Sequence, residues 1–536
     1  MPPTDDSFIW IQGHRHHTSL LIYLTPPPAP LAFLTILLYI PKTAFHVQAR
    51  QAPEKVQTMS TMPTSCSRSS MVGYSVGECA NSIIMNSLFG YAMLYYTDAL
   101  GLRHADAGIA MALAVFWDAI TDPVMGHVSD NTKSRFGRRH PHMLWGGLAT
   151  IATYVFLWYV PSVFTGNAQL LFWYLVGINL LQRTAITVFY VPFVALGFEI
   201  CTDYRGRVTL QGIRSAMNML ANVFGPALAW AVFFSNNAGV RATSVADNYL
   251  TMGLSFATVS LLCVLAVLVL TRKHIKDSRQ ITTEGNSVKG FIKDMREIVG
   301  DRYPRYVFAF IVVVTVGIAL VSSLQMYLYE HFMRFGGIEK SITHGSSMIG
   351  FGIGSLLASY LTRRFDKKGG VLFGGFLSIG CNVILAALFL PGLLIPGQTA
   401  TVCSYTIPLA YILFTLFHGL YWMGNGIIFP TATSMMADVS EINEIRTGIN
   451  KDGAYAAVFS FAQKCAVSLA VLITGYSLTL IGFEPGKEIV QAPETLWRLC
   501  ALTLLAGPAV SLISLGLIRH YPVNNELLDT MRSRRQ

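Results

Sequence analysis

Asp118 and Asp122 stand four residues apart inside an apolar run from about 105 to 125. On a helix that spacing puts both carboxylates on one face, and Thr121, three residues after Asp118, joins them. Pro123 has no N–H, so the carbonyl of Ala119 loses its usual partner one turn on. Oxygen donors grouped in this way suit a hard cation. A lone carboxylate at membrane depth costs about 2.5–3.5 kcal/mol on insertion scales, so acids in such a run face a polar cavity and point to function. The alternative use of the pair is structural: two acids matched by basic residues that hold helices together.

Composition demands a membrane setting. The 536 residues carry only 13% charged side chains against 52% hydrophobic ones, with a mean hydropathy of +0.47. Soluble domains carry about 25% charged residues. Apolar runs of about 20 residues recur from Met71 onward, each long enough to span a bilayer. They predict twelve helices near 72–97, 105–127, 142–161, 169–197, 213–235, 248–271, 305–329, 343–363, 370–391, 403–430, 453–478 and 496–518. The fold class is thus an all-α membrane protein with twelve transmembrane helices in two six-helix halves.

The net charge of +10 does not imply nucleic-acid binding, because the basic residues sit in short loops without an aromatic-studded patch. Loops after the even-numbered helices hold Lys133, Arg135, Arg138 and Arg139, then Arg205 and Arg207, then a basic stretch from Arg272, then Arg363, Arg364, Lys367 and Lys368. The positive-inside bias makes these loops cytoplasmic, with both termini inside. The eight cysteines show no metal-binding spacing. No nucleotide-binding loop, metalloprotease His pair or Gly-x-Ser-x-Gly elbow is present, so the sequence does not read as an enzyme.

Residues 1–70 differ from the remainder; they are rich in proline, hold His14, His16 and His17, and read as a dispensable extension. The halves are expected at 71–272 and 305–520, joined by a polar linker at 273–304 and followed by a tail at 521–536. The basic stretches Ser134-Arg135-Phe136-Gly137-Arg138-Arg139 and Arg363-Arg364-Phe365-Asp366-Lys367-Lys368 echo each other after helices 2 and 8, as expected for a transporter built from repeats.

Gly126-His127-Val128-Ser129-Asp130, with Arg135, Gly137, Arg138 and Arg139, resembles the signature loop of the major facilitator superfamily. That resemblance makes Asp130, Arg135, Arg138 and Arg139 a charge latch that holds one access state. Trp117 to Gly126, followed by Arg135-Phe136-Gly137-Arg138-Arg139-His140-Pro141, resembles the glycoside–pentoside–hexuronide:cation symporter family, typified by melibiose carriers. Gly77-Glu78, Tyr96-Thr97-Asp98, Val191-Pro192-Phe193 with Asp203 and Arg214, and Met436-Ala437-Asp438 with Lys464 extend the likeness from about Gly73 to Tyr521.

The resemblance implies cation-site roles for Asp118, Thr121, Asp122 and Thr187, the two acids being the sodium ligands. It implies that Lys464 stands in for the cation when the site is empty. Substrate-facing positions fall on Asn81, Ser82, Tyr190, Val194, Arg214, Phe429 and Ser460. Ser82, Tyr190 and Val194 depart from the melibiose pattern, which has acids at the first two and a tryptophan at the third. An arginine short of opposing acids at position 214 would suit an anionic sugar such as a hexuronate. The expected function is sodium-coupled symport of a sugar, glycoside or hexuronide. A sodium-coupled lysolipid carrier and a proton-coupled symporter are the alternatives. No cofactor beyond the sodium or proton is expected. The chain is expected to be a monomer in a bacterial inner membrane, with a small-molecule substrate, a coupling cation and the lipid bilayer as partners.

Overall fold

The computed structural model describes residues 67–536 apart from 202–203, 235–240, 276–287, 403–404, 449–450, 487–489, 522, 524–526, 528–529, 532 and 534–536. The extension up to residue 66, with its three histidines, lies outside the described residues, as does Asp203.

The first half comprises α1 Arg68–Leu94, α2 His104–Asn131, α3 His140–Trp158, α4 Ala168–Ile200, α5 Tyr204–Leu228 and α6 Ala246–Thr271. The linker carries a helix of its own, α7 Val288–Gly300, which the sequence reading did not anticipate. Lys451 Nζ reaches Glu297 Oε2 at 2.6 Å and ties that helix to the second half. The second half comprises α8 Arg302–Tyr327, α9 Gly337–Phe389, α10 Leu409–Thr447, α11 Asp452–Leu480 and α12 Pro493–Arg519. Asp366, at φ 61° and ψ 169°, breaks the long α9 into two arms. Counted that way, the described residues supply six membrane-length arms on each side of α7. Nine helices among them are long and apolar enough to cross a membrane by composition alone, α9 being counted once. α1 and α3 fall outside those nine because they carry polar residues such as Glu78, Asn81 and Asn86, or open on His140 and His142.

One predicted span shifts. Ala400–Val402 and Tyr405–Ile407 pair as antiparallel strands, and α10 starts only at Leu409. Pro408 has no N–H to donate and its ring fixes φ, so the helix begins just beyond it. α10 then runs on to Thr447, where Gly448 at φ 72° caps it.

The halves repeat each other at their first helices. α1 ends in a wider turn over Tyr95–Ala99, and α8 ends in the same turn over Leu328–Phe332. In each, a tyrosine carbonyl accepts from the N–H six residues on, Leu102 to Tyr96 at 2.8 Å and Phe335 to Tyr329 at 3.0 Å. Left-handed residues, Gly101 and Arg334, follow the two tyrosines at the same distance.

Across the interface α2 packs on α11, α5 on the first arm of α9, and α1 on α8. α2 and α11 approach at backbone distance where Gly108 meets Gly475: a Cβ on Gly108 would lie 3.0 Å from the Gly475 Cα, and one on Gly475 would lie 2.5 Å from the His104 carbonyl. Glycine is needed at both positions for the helices to come so close. Ser468 Oγ then donates to the Ala112 carbonyl at 2.7 Å, so the helices run antiparallel in a fixed register.

Candidate functional site

That register decides what faces the acid pair. Ser468 opposite Ala112 puts Lys464, one turn earlier on α11, beside Asp118 and Asp122. α2 buries Ala114, Val115, Asp118 and Ala119, and exposes Leu113, Phe116, Trp117 and Ile120. The acids therefore point into the bundle and the large apolar side chains point out.

Lys464 Nζ lies 3.1 Å from Asp118 Oδ2 and also contacts Asp122 Oδ2. The other two carboxylate oxygens converge on Thr187 of α4, whose Oγ1 is 2.8 Å from Asp118 Oδ1 and 2.9 Å from Asp122 Oδ1. One hydroxyl proton serves only one of these oxygens at a time. Thr121 Oγ1 stands 3.4 Å from Thr187 Oγ1. An amine thus bridges one oxygen of each acid, and a hydroxyl bridges the other. Among the described residues no group of three or more His, Cys, Asp or Glu could hold a metal. Two carboxylates and two hydroxyls offer only hard oxygen donors, which suits an alkali cation carried as cargo.

Arg183 was not singled out from the sequence. It sits one helical turn before Thr187 on the same face of α4, and its Nη1 lies 3.7 Å from Asp118 Oδ2. A charge within an apolar span, four residues from a site hydroxyl, was the available signal.

The site is not equally open to both faces. Side-chain exposure rises from 7% at Asp118 to 30% at Asp122, and Lys464 is 24% exposed. α2 runs toward the basic loops in that direction, so access is from the basic face. At the opposite face the halves are shut: Asp98 and His331 pair across them at 3–4% exposure, and Thr97 and Tyr327 join hydroxyls at 2.9 Å.

Next to the acids lies a second polar network. Arg214 Nε pairs with Glu78 Oε2 at 2.6 Å, and Arg214 Nη2 donates to the Tyr190 hydroxyl at 2.9 Å. Tyr190 in turn donates to Glu78 Oε1 at 3.2 Å. Asn218 donates to Ser82 Oγ at 2.8 Å, and Asn222 donates to Asn218 at 3.0 Å. The reading of Arg214 as short of opposing acids is corrected here: Glu78, one turn before Ser82 on α1, neutralises it. Asn218 and Asn222 follow Arg214 at four-residue steps along one face of α5, a pattern the sequence reading passed over. Asn81 and Val194 are half-buried, the latter packed beside the Tyr74 and Phe193 cluster. Phe429 is half-buried with its ring 6.3 Å from that of Phe351, and Ser460 is exposed one turn before Lys464.

The expected latch changes membership. Arg139 contacts Asp130, and Arg138 and Arg139 both hold Glu199 Oε1, at 2.7 and 2.9 Å. Arg135 stays outside it, exposed, with its guanidinium 4.8 Å over the Phe136 ring. Gly137, at φ 77°, turns the loop between them. The second half repeats the device with Lys367 on Asp438 at 2.6 Å.

The model of the MFS/sugar transport protein family matches residues 73–525. The chain belongs to this family. Family relatives include the isoprimeverose transporter of Lactiplantibacillus pentosus, 23% identical over 79% of this chain and 84% of that one. The glucuronide carrier protein homolog of Escherichia coli (strain K12) is 22% identical over 85% and 93%. The sodium-dependent lysophosphatidylcholine symporter 1-A of Danio rerio is 23% identical over 85% and 86%. Among solved structures, a bacterial homologue of the iron transporter ferroportin superposes with a TM-score of 0.57 at 12% identity, covering 84% of this chain and 97% of that one. A D-xylose-proton symporter superposes with a TM-score of 0.53 at 11% identity, covering 84% and 96%. At such identities these structures speak for the fold, the major facilitator fold. The protein is thus a multi-pass membrane transporter of the major facilitator superfamily, in its glycoside–pentoside–hexuronide:cation symporter branch, and not an enzyme.

Proposed function

We propose that this chain is a sodium-coupled symporter of a sugar, glycoside or hexuronide that works by alternating access. The observation that carries the reading is the bridge of Lys464 and Thr187 across Asp118 and Asp122. In the empty site Lys464, with Arg183 beside Asp118, neutralises the acids, so the protein can change access state without a bare buried charge. A cation reaching the empty site takes its oxygen ligands from Asp118, Asp122, Thr121 and Thr187 and releases the amine. The solute then binds beside it against Tyr190, Arg214, Asn218 and Ser82, with Asn81, Phe429 and Ser460 around them. The mutual neutralisation of Glu78 and Arg214 favours a neutral polyol over an anion, because an anion would have to displace a buried carboxylate. Asp130, Arg138, Arg139 and Glu199 brace the basic face in the state seen here. The chain acts as a monomer in a cell membrane with its basic loops and both termini in the cytoplasm.

The relative from Danio rerio favours a second reading, sodium-coupled carriage of a lysolipid on the same cation site. Uptake into proteoliposomes distinguishes the two. Labelled isoprimeverose, glucuronide and lysophosphatidylcholine are offered under an inward sodium gradient, an inward proton gradient and no gradient. The proposal expects sugar or glycoside uptake that rises with sodium and loses that rise in Asp122→Asn. Uptake driven equally well in the mutant would overturn it; lysolipid uptake alone would favour the second reading.

A further inference from the structure

The acid pair faces two cations, not one. Arg183 is 4% exposed, and its guanidinium stacks 5.2 Å over the Phe89 ring with Nη1 3.6 Å from the Met85 sulfur and 3.7 Å from Asp118 Oδ2. Its Nε has no hydrogen-bond partner. A guanidinium does not give up its proton in a protein, so this charge is permanent. Phe89 and Met85 on α1 confine it against α4, whereas Lys464 sits at the end of a flexible chain on the other half and is partly exposed.

Two carboxylates, one arginine and one lysine leave the site neutral. We infer that Arg183 is a positioning residue which makes Lys464 and the coupling cation alternatives, fixing the site at one cation per cycle. With Arg183 retained, a monovalent cation bound alongside Lys464 would leave a net positive charge at membrane depth, a costly state. If the amine withdraws as the cation enters, the site is neutral again. Asp118 stays matched by Arg183, and Asp122 is the acid that changes partner. Its greater exposure, 30% against 7%, agrees with that division of labour. The inference rests on the cation-coupled reading above and deepens it.

Acetylation of Lys464 by acetic anhydride, read by mass spectrometry of its peptide, tests it alongside binding of radioactive sodium to the purified full chain. An amine bridged between two carboxylates must leave them before it can react, so its acetylation reports how often it is released. In the wild-type protein, sodium in place of choline should speed acetylation by about tenfold as the cation shifts the amine to its released state. In Arg183→Gln sodium should still bind, but the site then tolerates cation and amine together and the acceleration should vanish. Arg183→Lys should restore it. Arg183→Met, which refills the space against Phe89, replaces the glutamine variant if that does not fold. Equal acceleration in wild type and Arg183→Gln would overturn the inference and leave the coupled reading standing, as would wild-type protein that binds sodium without acceleration. Wild-type protein that binds no sodium would remove the coupled reading and the inference with it.

Discussion

His331 Nε2 lies 2.8 Å from Asp98 Oδ2, and the two residues occupy equivalent positions in the two halves. Each follows the repeated tyrosine, Tyr96 or Tyr329, by two places and precedes the left-handed residue, Gly101 or Arg334, by three. The internal repeat brings the pair together on the axis between the halves. Arg241 Nη1 donates to His331 Nδ1 at 2.9 Å, so the imidazole donates to Asp98 from its other nitrogen. Losing a hydrogen bond to a buried carboxylate costs about 1.5–3 kcal/mol, enough to shift a two-state equilibrium by roughly 10- to 100-fold. His331→Ala should therefore loosen the face opposite the basic loops. A cysteine placed at Phe483, buried against His331, should then react with a membrane-impermeant thiol reagent applied to that face. No gain in reactivity would show that closure rests on the other contacts.

Thr187 of α4 bridges both acids through its hydroxyl. Thr187→Val keeps the shape and removes the hydroxyl. One lost hydrogen bond to a charged group costs about 1.5–3 kcal/mol. The sodium concentration for half-maximal uptake should rise by about 10-fold or more, and Thr187→Ser should recover most of it. An unchanged sodium dependence would exclude this hydroxyl from the cation site.

Lys464 reaches α2 because Gly108 and Gly475 let the helices touch. Gly475→Leu must push α11 off the His104 carbonyl. The melting temperature in detergent should fall, and sodium-driven uptake should be lost even at temperatures where the protein is folded. Retained uptake would mean that the register does not depend on this crossing.

Glu78 and Arg214 form the core of the neighbouring network, at 4% and 15% side-chain exposure. Arg214→Gln leaves a buried acid unpaired and should cost about 3–5 kcal/mol. Glu78→Gln combined with Arg214→Gln should recover more than half of that loss, because an amide pair is neutral and can still hydrogen-bond. Thermal melts of the two single variants and the double variant measure the coupling. Additive losses would show that the two residues act independently.

Much of this was legible along the chain. Apolar runs about twenty residues long mark the spans, and a four-residue spacing puts Asp118 and Asp122 on one face, because both are local properties of a helix in lipid. Lys464 was legible as a charge deep in its span, and Arg183 could have been found by the same test. Partnership was not legible. Whether Lys464 reaches Asp118, whether Arg214 is free or held by Glu78, whether Arg135 or Glu199 joins the latch, and whether Asp98 meets His331 all depend on how helices far apart in sequence slide and rotate against one another. Contacts such as Gly108 on Gly475 and Ser468 on Ala112 set that register, and only the packed bundle contains them.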